Sequence, residues 1–306
     1  MKSLILVISL LFINIGCSQN KKDNNITKQN KSMKTKYMLN YSIPYPAEIL
    51  INDMVAEIDL NQPPYPPCNL NEFLIPNDVQ NIKIKIYSPN KEINSITNKL
   101  IKEVNNELAI YEYIYENEDI KEMKLIQKIS FSEVNTPLPF IEQSWNINLK
   151  KKNSQCDLND FLDLRNLDQD ILLKDVINKF NELRGYLNSG DVNRFMIEIS
   201  NSNQIYFESN DFNEAEKKEF KKNQFVTYSK QKNTILPIEN YKLRILGNGK
   251  LISLERTDRA YLGQGVLMGI DKLNKNFFPN YIMLGISKKD NKLQVFKINS
   301  FEEGFE

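Results

Sequence analysis

Residues 81–88 read NIKIKIYS, an alternation that puts Ile82, Ile84 and Ile86 on one side of an extended chain and Lys83 and Lys85 on the other. Only a strand buries one face in this way, because on a helix the same residues would scatter around the axis. Neighbouring segments repeat the theme. KYMLNYSI, AEILIND and MVAEIDL precede it, and Asn52-Asp53, a dipeptide that accepts positive φ, supplies a tight hairpin between the last two. ELAIYEYIYEN, EMKLIQKISF and FIEQSWNINL follow, while INSITNKLIKEVNNEL has the spacing of a short helix among them. Residues 37–150 are expected to form an antiparallel β-sandwich domain.

The pattern changes after the polar link KKKNSQC. Ile171, Leu172, Val176, Ile177, Phe180, Leu183 and Leu187 recur at helical spacing, and NSGD at residues 188–191 stops that helix. VNRFMIEI and FNEAEKKEFKKN read as further helices. FVTYSK, YKLRILGNGKLISLER, GVLMGID and YIMLGISKKDNKLQVFKI then read as strands, the second a hairpin turning on Asn248-Gly249 and the fourth a second hairpin. The expected class is α+β overall: the sandwich, then an α+β domain over 151–306 with helices packed on a curved antiparallel sheet.

The chain has 306 residues and no histidine, which removes the usual general base, the Ser-His and Cys-His nucleophile systems and the commonest zinc sites. With 40 basic against 39 acidic residues, no long-range field draws it to nucleic acid, and partners must be recognised locally. GQGVLMG, Gly263 to Gly269, lacks the βαβ frame of a dinucleotide loop and reads as strand. Asp157 with Asp160, and Glu116 with Glu118 and Asp119, lack the spacing of a calcium loop; Asp157 sits where a helix cap is expected. Nothing calls for a metal or a cofactor.

The amino terminus, MKSLILVISLLFINIGCSQNKKDNN, has Lys2, an apolar run from Leu4 to Ile13, and Gly16 before Cys17. This is the layout of a secretory signal, too short for a comfortable transmembrane span. It resembles a bacterial lipoprotein signal, with Ile15 and Gly16 in lipobox positions and Asn14 a departure from them. The resemblance implies a signal peptide over 1–16, lipidation of Cys17, a polar tether over 17–36, and residence in the bacterial cell envelope on the periplasmic or outer-membrane side. An ordinary signal peptide and a single anchoring helix are the other readings. The early NKKDN of the tether resembles the export signal of Bacteroidetes surface lipoproteins through Lys22 and Asp23. If Cys17 is lipidated, Cys68 and Cys156, which open the matching stretches CNLNEFL and CDLNDFL, remain as an even pair in an oxidising compartment. They read either as a disulfide or as two buried thiols.

EILINDMVAEIDL with LNEFLIPNDVQNIKIKIYSP resembles the amino-terminal β domains of some bacterial lipoproteins of unknown role. INKFNELRGYLNSGDVNRFM, followed by strands, is similar to the nuclear transport factor two-like fold over about residues 168–300; that likeness implies a cone-shaped pocket and supplies no matched active residue. LGNGKLISLER resembles immunity proteins that neutralise bacterial toxins. Three local features invite a binding role. Tyr111, Tyr113 and Tyr115 share a strand face, for packing or for a partner. NQPPYPPC holds Tyr65 on a stiff loop, as a crossover or as a presented ring. RTDRAYLGQG places Arg259 beside Tyr261, as a binding pair or as an ordinary connection. The expected function is a membrane-tethered, non-catalytic lipoprotein that binds a protein or a small ligand. An immunity protein and a carboxylate-based enzyme with a pocket in the carboxy-terminal domain are the alternatives.

Overall fold

Hairpin chemistry and period-two burial build the first two sheets in this computed structural model, which describes residues 33–77, 79–89, 93–116, 119–149, 157–300 and 303–304. The signal segment, Cys17 and Cys156 lie outside the described residues. One sheet contains β1 (Met33–Asn40), β4 (Cys68–Asn69), β6 (Ala109–Glu116) and β7 (Asp119–Lys128) in the order β4-β1-β6-β7. The other contains β2 (Ala47–Ile51), β3 (Met54–Asp59), β5 (Val79–Tyr87) and β8 (Phe140–Asn148) in the order β3-β2-β5-β8. Asn52 and Asp53 take φ of 51° and 62°, which is what a two-residue β2–β3 turn requires. Ile82, Ile84 and Ile86 of β5 are buried as their spacing predicts. The helix expected between strands is α1 (Asn98–Glu107), capped by Thr97 and burying Leu100, Ile101 and Val104.

Beyond residue 157 come α2 (Gln169–Ser189), α3 (Val192–Glu198), α4 (Ser200–Ser209) and α5 (Glu214–Ser229). Asp168 caps α2 through the amides of Asp170 and Ile171, and Gly190 ends it at φ 83°. Leu172, Val176, Phe180, Leu183 and Leu187 form its buried stripe; Ile171, in its first turn, is exposed. FVTYSK is a correction: its first five residues are the last turns of α5, and no strand forms there. Asn213 and Glu216 close a capping box, and Tyr228 is buried with its ring 4.8 Å from that of Phe195. The helical cost of Val226 and Thr227 is a few tenths of a kcal/mol each. Burying Tyr228 returns about 2 kcal/mol, so packing overrides the local preference.

The third sheet consists of β9 (Tyr241–Leu246), β10 (Leu251–Arg256), β11 (Leu267–Asp271), β12 (Asn276–Ile286), β13 (Leu293–Ser300) and β14 (Glu303–Gly304). Its order is β11-β12-β10-β9, with β13 and β14 also pairing with β12. Asn248 and Gly249 turn the β9–β10 hairpin at φ 55° and 90°. The fold is therefore α+β, with three antiparallel sheets.

The third sheet is the middle layer. Ile282 and Leu284 of β12 join Phe180, Leu187, Phe195 and Leu254 in a core beneath the helices. The alternate residues Tyr281 and Met283 face the other way and join Phe296, Leu246 and Leu251 in the core of the first two sheets, with Leu39, Ile49 and Ile84. Apolar packing thus crosses residue 150, and residues 33–306 form one compact unit. Among the described residues no helix is long and apolar enough to cross a membrane.

Candidate functional site

Where β3 passes the α4–α5 pair, the layers do not close, and a cleft of about 790 Å³ remains. β3 contributes Val55, Ala56, Glu57 and Ile58; the proline-rich loop contributes Pro63, Pro64 and Tyr65. The opposite wall is Ser202, Asn203 and Tyr206 of α4 with Phe220, Gln224, Thr227 and Tyr228 of α5. Tyr281 and residues 298–300 also line it. The β2–β3 ladder slips beside Ile49/Leu50, so that Leu50 faces Val55 and Ile49 faces Glu57. Ala56 is the extra residue of a bulge, a device that re-aims side chains at the edge of a sheet.

Glu57 is the one lining carboxylate with no basic partner among the described residues. Burial pushes its carboxyl up to about 7, against a smaller opposing effect of the Tyr41 hydrogen bond. Tyr41 is itself buried, and its Oη lies 2.6 Å from Glu57 Oε2 and 2.8 Å from the carbonyl oxygen of Tyr65. One hydroxyl has one proton for these two acceptors. When Glu57 is protonated, its own O–H serves Tyr41 and Tyr41 serves Tyr65, so every group is satisfied. When Glu57 ionises, Tyr41 is drawn to it and the Tyr65 carbonyl loses its donor. The Tyr65 carbonyl thus competes for the one proton that could stabilise an ionised Glu57, and the hydrogen bond only partly offsets the effect of burial.

Glu72, the other lining carboxylate, is paired with Lys297 at 2.5 Å. Lys297 is buried behind the cleft with its ammonium 4.5 Å from the centre of the Phe73 ring. Cys68 lies in the same region as a buried thiol, pushed well up by burial and then by Glu57 and Glu72, which keeps it protonated. On the α5 wall Gln224 donates to Asn203 Oδ1 at 2.9 Å, while its own Oε1 is buried without a hydrogen-bond partner among the described residues.

Below Tyr281 lies a closed cluster of charge. Arg244 bonds Glu255 at 2.7 Å and also pairs with Glu48 of β2, tying the second sheet to the third. Tyr281 donates to Glu255 at 2.7 Å, and Lys242 pairs with it at 3.2 Å. Burial alone would lower the Arg244 guanidinium, but Glu255 and Glu48 raise it.

Arg259 is exposed on a short helical turn outside the cleft. Tyr261 is half-buried, stacked on Phe277 at 5.9 Å with the Arg256 guanidinium 5.7 Å from the centre of its own ring, and is not a lining residue. Only Gln264 of that stretch reaches the cleft. Tyr65 stands at its mouth, 71% exposed. Tyr111, Tyr113 and Tyr115 form a ladder of rings 6.4 and 6.3 Å apart. They pair across to Leu125, Met123 and Ile120 of β7, all exposed, while Tyr113 itself is buried and its hydroxyl accepts from Asn40 at 3.0 Å. Asp157 caps a turn through the amide of Asn159. Glu57 was hidden in MVAEIDL, where it reads as an ordinary polar position of a half-buried strand; the bulge that turns it inward leaves no mark in the sequence. No protein-family model, no curated protein and no solved structure matches this chain.

Proposed function

We propose that this chain is an exported binding protein, held to the bacterial envelope by a lipid on Cys17, whose small ligand occupies the cleft between β3 and the α4–α5 pair. The observation that carries the binding role is a cavity of about 790 Å³ walled by aromatic and amide side chains around one carboxyl with no counter-charge. Such a volume falls within the range of small-molecule sites. The anchor reading rests on the apolar run and Gly16-Cys17 alone. Native mass spectrometry of the full chain taken from its envelope tests the cleft. A small molecule retained by the wild type and lost in Thr227→Trp, which fills the cavity, is the expected result; equal retention by both removes the reading. A fatty-acid analogue should label the wild type and spare Cys17→Ser.

Two other readings each have one observation in their favour. Glu57, near neutrality in a cleft, has the property wanted of a general acid or base, which favours a carboxylate-based enzyme. The face on which exposed Met123 and Leu125 lie beside half-buried Tyr111 and Tyr115 favours a protein partner of the immunity type. A protein that binds the wild type and is lost on Met123→Asp/Leu125→Asp would support the latter.

A further inference from the structure

We infer that the cleft selects an organic cation, a primary ammonium or guanidinium group on an aromatic or apolar body, with Glu57 as its counter-ion. This rests on the binding role proposed above and names the ligand class for the same site. Among the described residues, the lining holds two carboxylates and no Lys or Arg. Lys297 neutralises Glu72 from behind, which leaves Glu57 as the uncompensated charge. Once ionised, Glu57 asks the ligand for a donor and offers none of its own. An anion would meet only like charge here, and a neutral ligand would leave Glu57 either protonated or unpaired. Tyr206 and Phe220, stacked at 4.6 Å, and Tyr65 supply ring faces of the kind that attract a cation and cover its apolar body.

Binding of such a ligand requires Glu57 to give up its proton. The titratable groups around it do not compete for that role. Tyr41 and Cys68 are both pushed up, first by burial, and stay neutral. Tyr206 and Tyr228 are pushed up to about 12, also chiefly by burial. Tyr281 donates to Glu255, away from Glu57. An amine should therefore bind more tightly as pH rises through about 7, where Glu57 ionises, and should release a proton from the protein below that point.

The test is calorimetric titration of the full chain with 2-phenylethylamine, 2-phenylethanol and 3-phenylpropanoate at pH 8, pH 6.5 and pH 5.5, in buffers of different ionisation enthalpy. At pH 8 the amine is expected to bind at least about tenfold more tightly than the alcohol, the tenfold corresponding to about 1.4 kcal/mol. The carboxylate should bind most weakly. The preference for the amine should collapse at pH 5.5 and in Glu57→Gln, with proton release seen only in the wild type near pH 6.5. Equal binding of amine and alcohol, both abolished by Thr227→Trp, would overturn the cation preference and leave the cleft as a binding site. Failure of all three probes to bind, or binding unchanged by Thr227→Trp, would overturn both readings. An amine preference that survives Glu57→Gln in a folded variant would dismiss Glu57 as the counter-ion.

Discussion

Glu255 and Glu57 are strand carboxylates in neighbouring layers, with Tyr281 touching the first and lining the cleft beside the second. Glu255 is wholly buried and is met by Arg244, Lys242 and the Tyr281 hydroxyl. Glu57 is half-buried, has the Tyr41 hydroxyl alone, and opens on a cavity. The contrast separates a charge used to join layers from a charge left available. A closed, paired cluster resists change because each removal orphans another buried group. An open, unpaired one carries a standing penalty that a ligand can relieve.

The widest separation between the two should come from Arg244→Ala. It strands Glu255 and Glu48 at the junction of the second and third sheets and is expected to cost about 3–5 kcal/mol in urea unfolding. A loss below about 1 kcal/mol would mean that the cluster is not a joint. Glu57→Gln should act in the opposite sense. Below the ordinary carboxyl value of 4.5 the group is protonated in both states and costs nothing. As pH rises from 4.5 to about 7 the unfolded chain ionises first, so the wild type loses stability over that window and levels off above it. Glu57→Gln should gain up to roughly 3 kcal/mol at pH 8 and nothing near pH 4. A pH-independent gain would contradict the assigned penalty.

Lys297→Met brings the comparison into the cleft itself, because it converts Glu72 into a second carboxylate without a counter-charge. A loss of about 2 kcal/mol is expected at pH 8. It should shrink on acidification, as measured by thermal unfolding at each pH. Tyr41→Phe should have the smallest effect, about 1 kcal/mol of stability. Since the Tyr41 hydrogen bond holds the Glu57 carboxyl down, this variant should move it above 7, a shift that an NMR titration of the Glu57 carboxyl would read directly.

Much of the scaffold was legible before any coordinates. Asn52-Asp53 and Asn248-Gly249 mark hairpins because few residues tolerate positive φ, and both turns form. The α2 stripe and its Gly190 stop follow from local periodicity and capping, and Ile82, Ile84 and Ile86 from the pleat of a strand. These are short-range rules, and residues a few positions apart suffice to apply them. The cleft was not legible, because each of its walls is a separate accident of packing. Glu57 and Tyr41 are 16 positions apart, while Glu72 and Lys297 are 225 apart. The late part of α5 was misread as strand because Val226 and Thr227 favour strands locally, whereas Phe195, reached only in three dimensions, rewards the helix by covering Tyr228. The sequence by itself determined where the chain turns and which face each element hides. Which carboxylate is met by a cation and which is left facing a cavity was decided only by the tertiary structure, because charge compensation depends on distance in space and the chain encodes that distance nowhere locally.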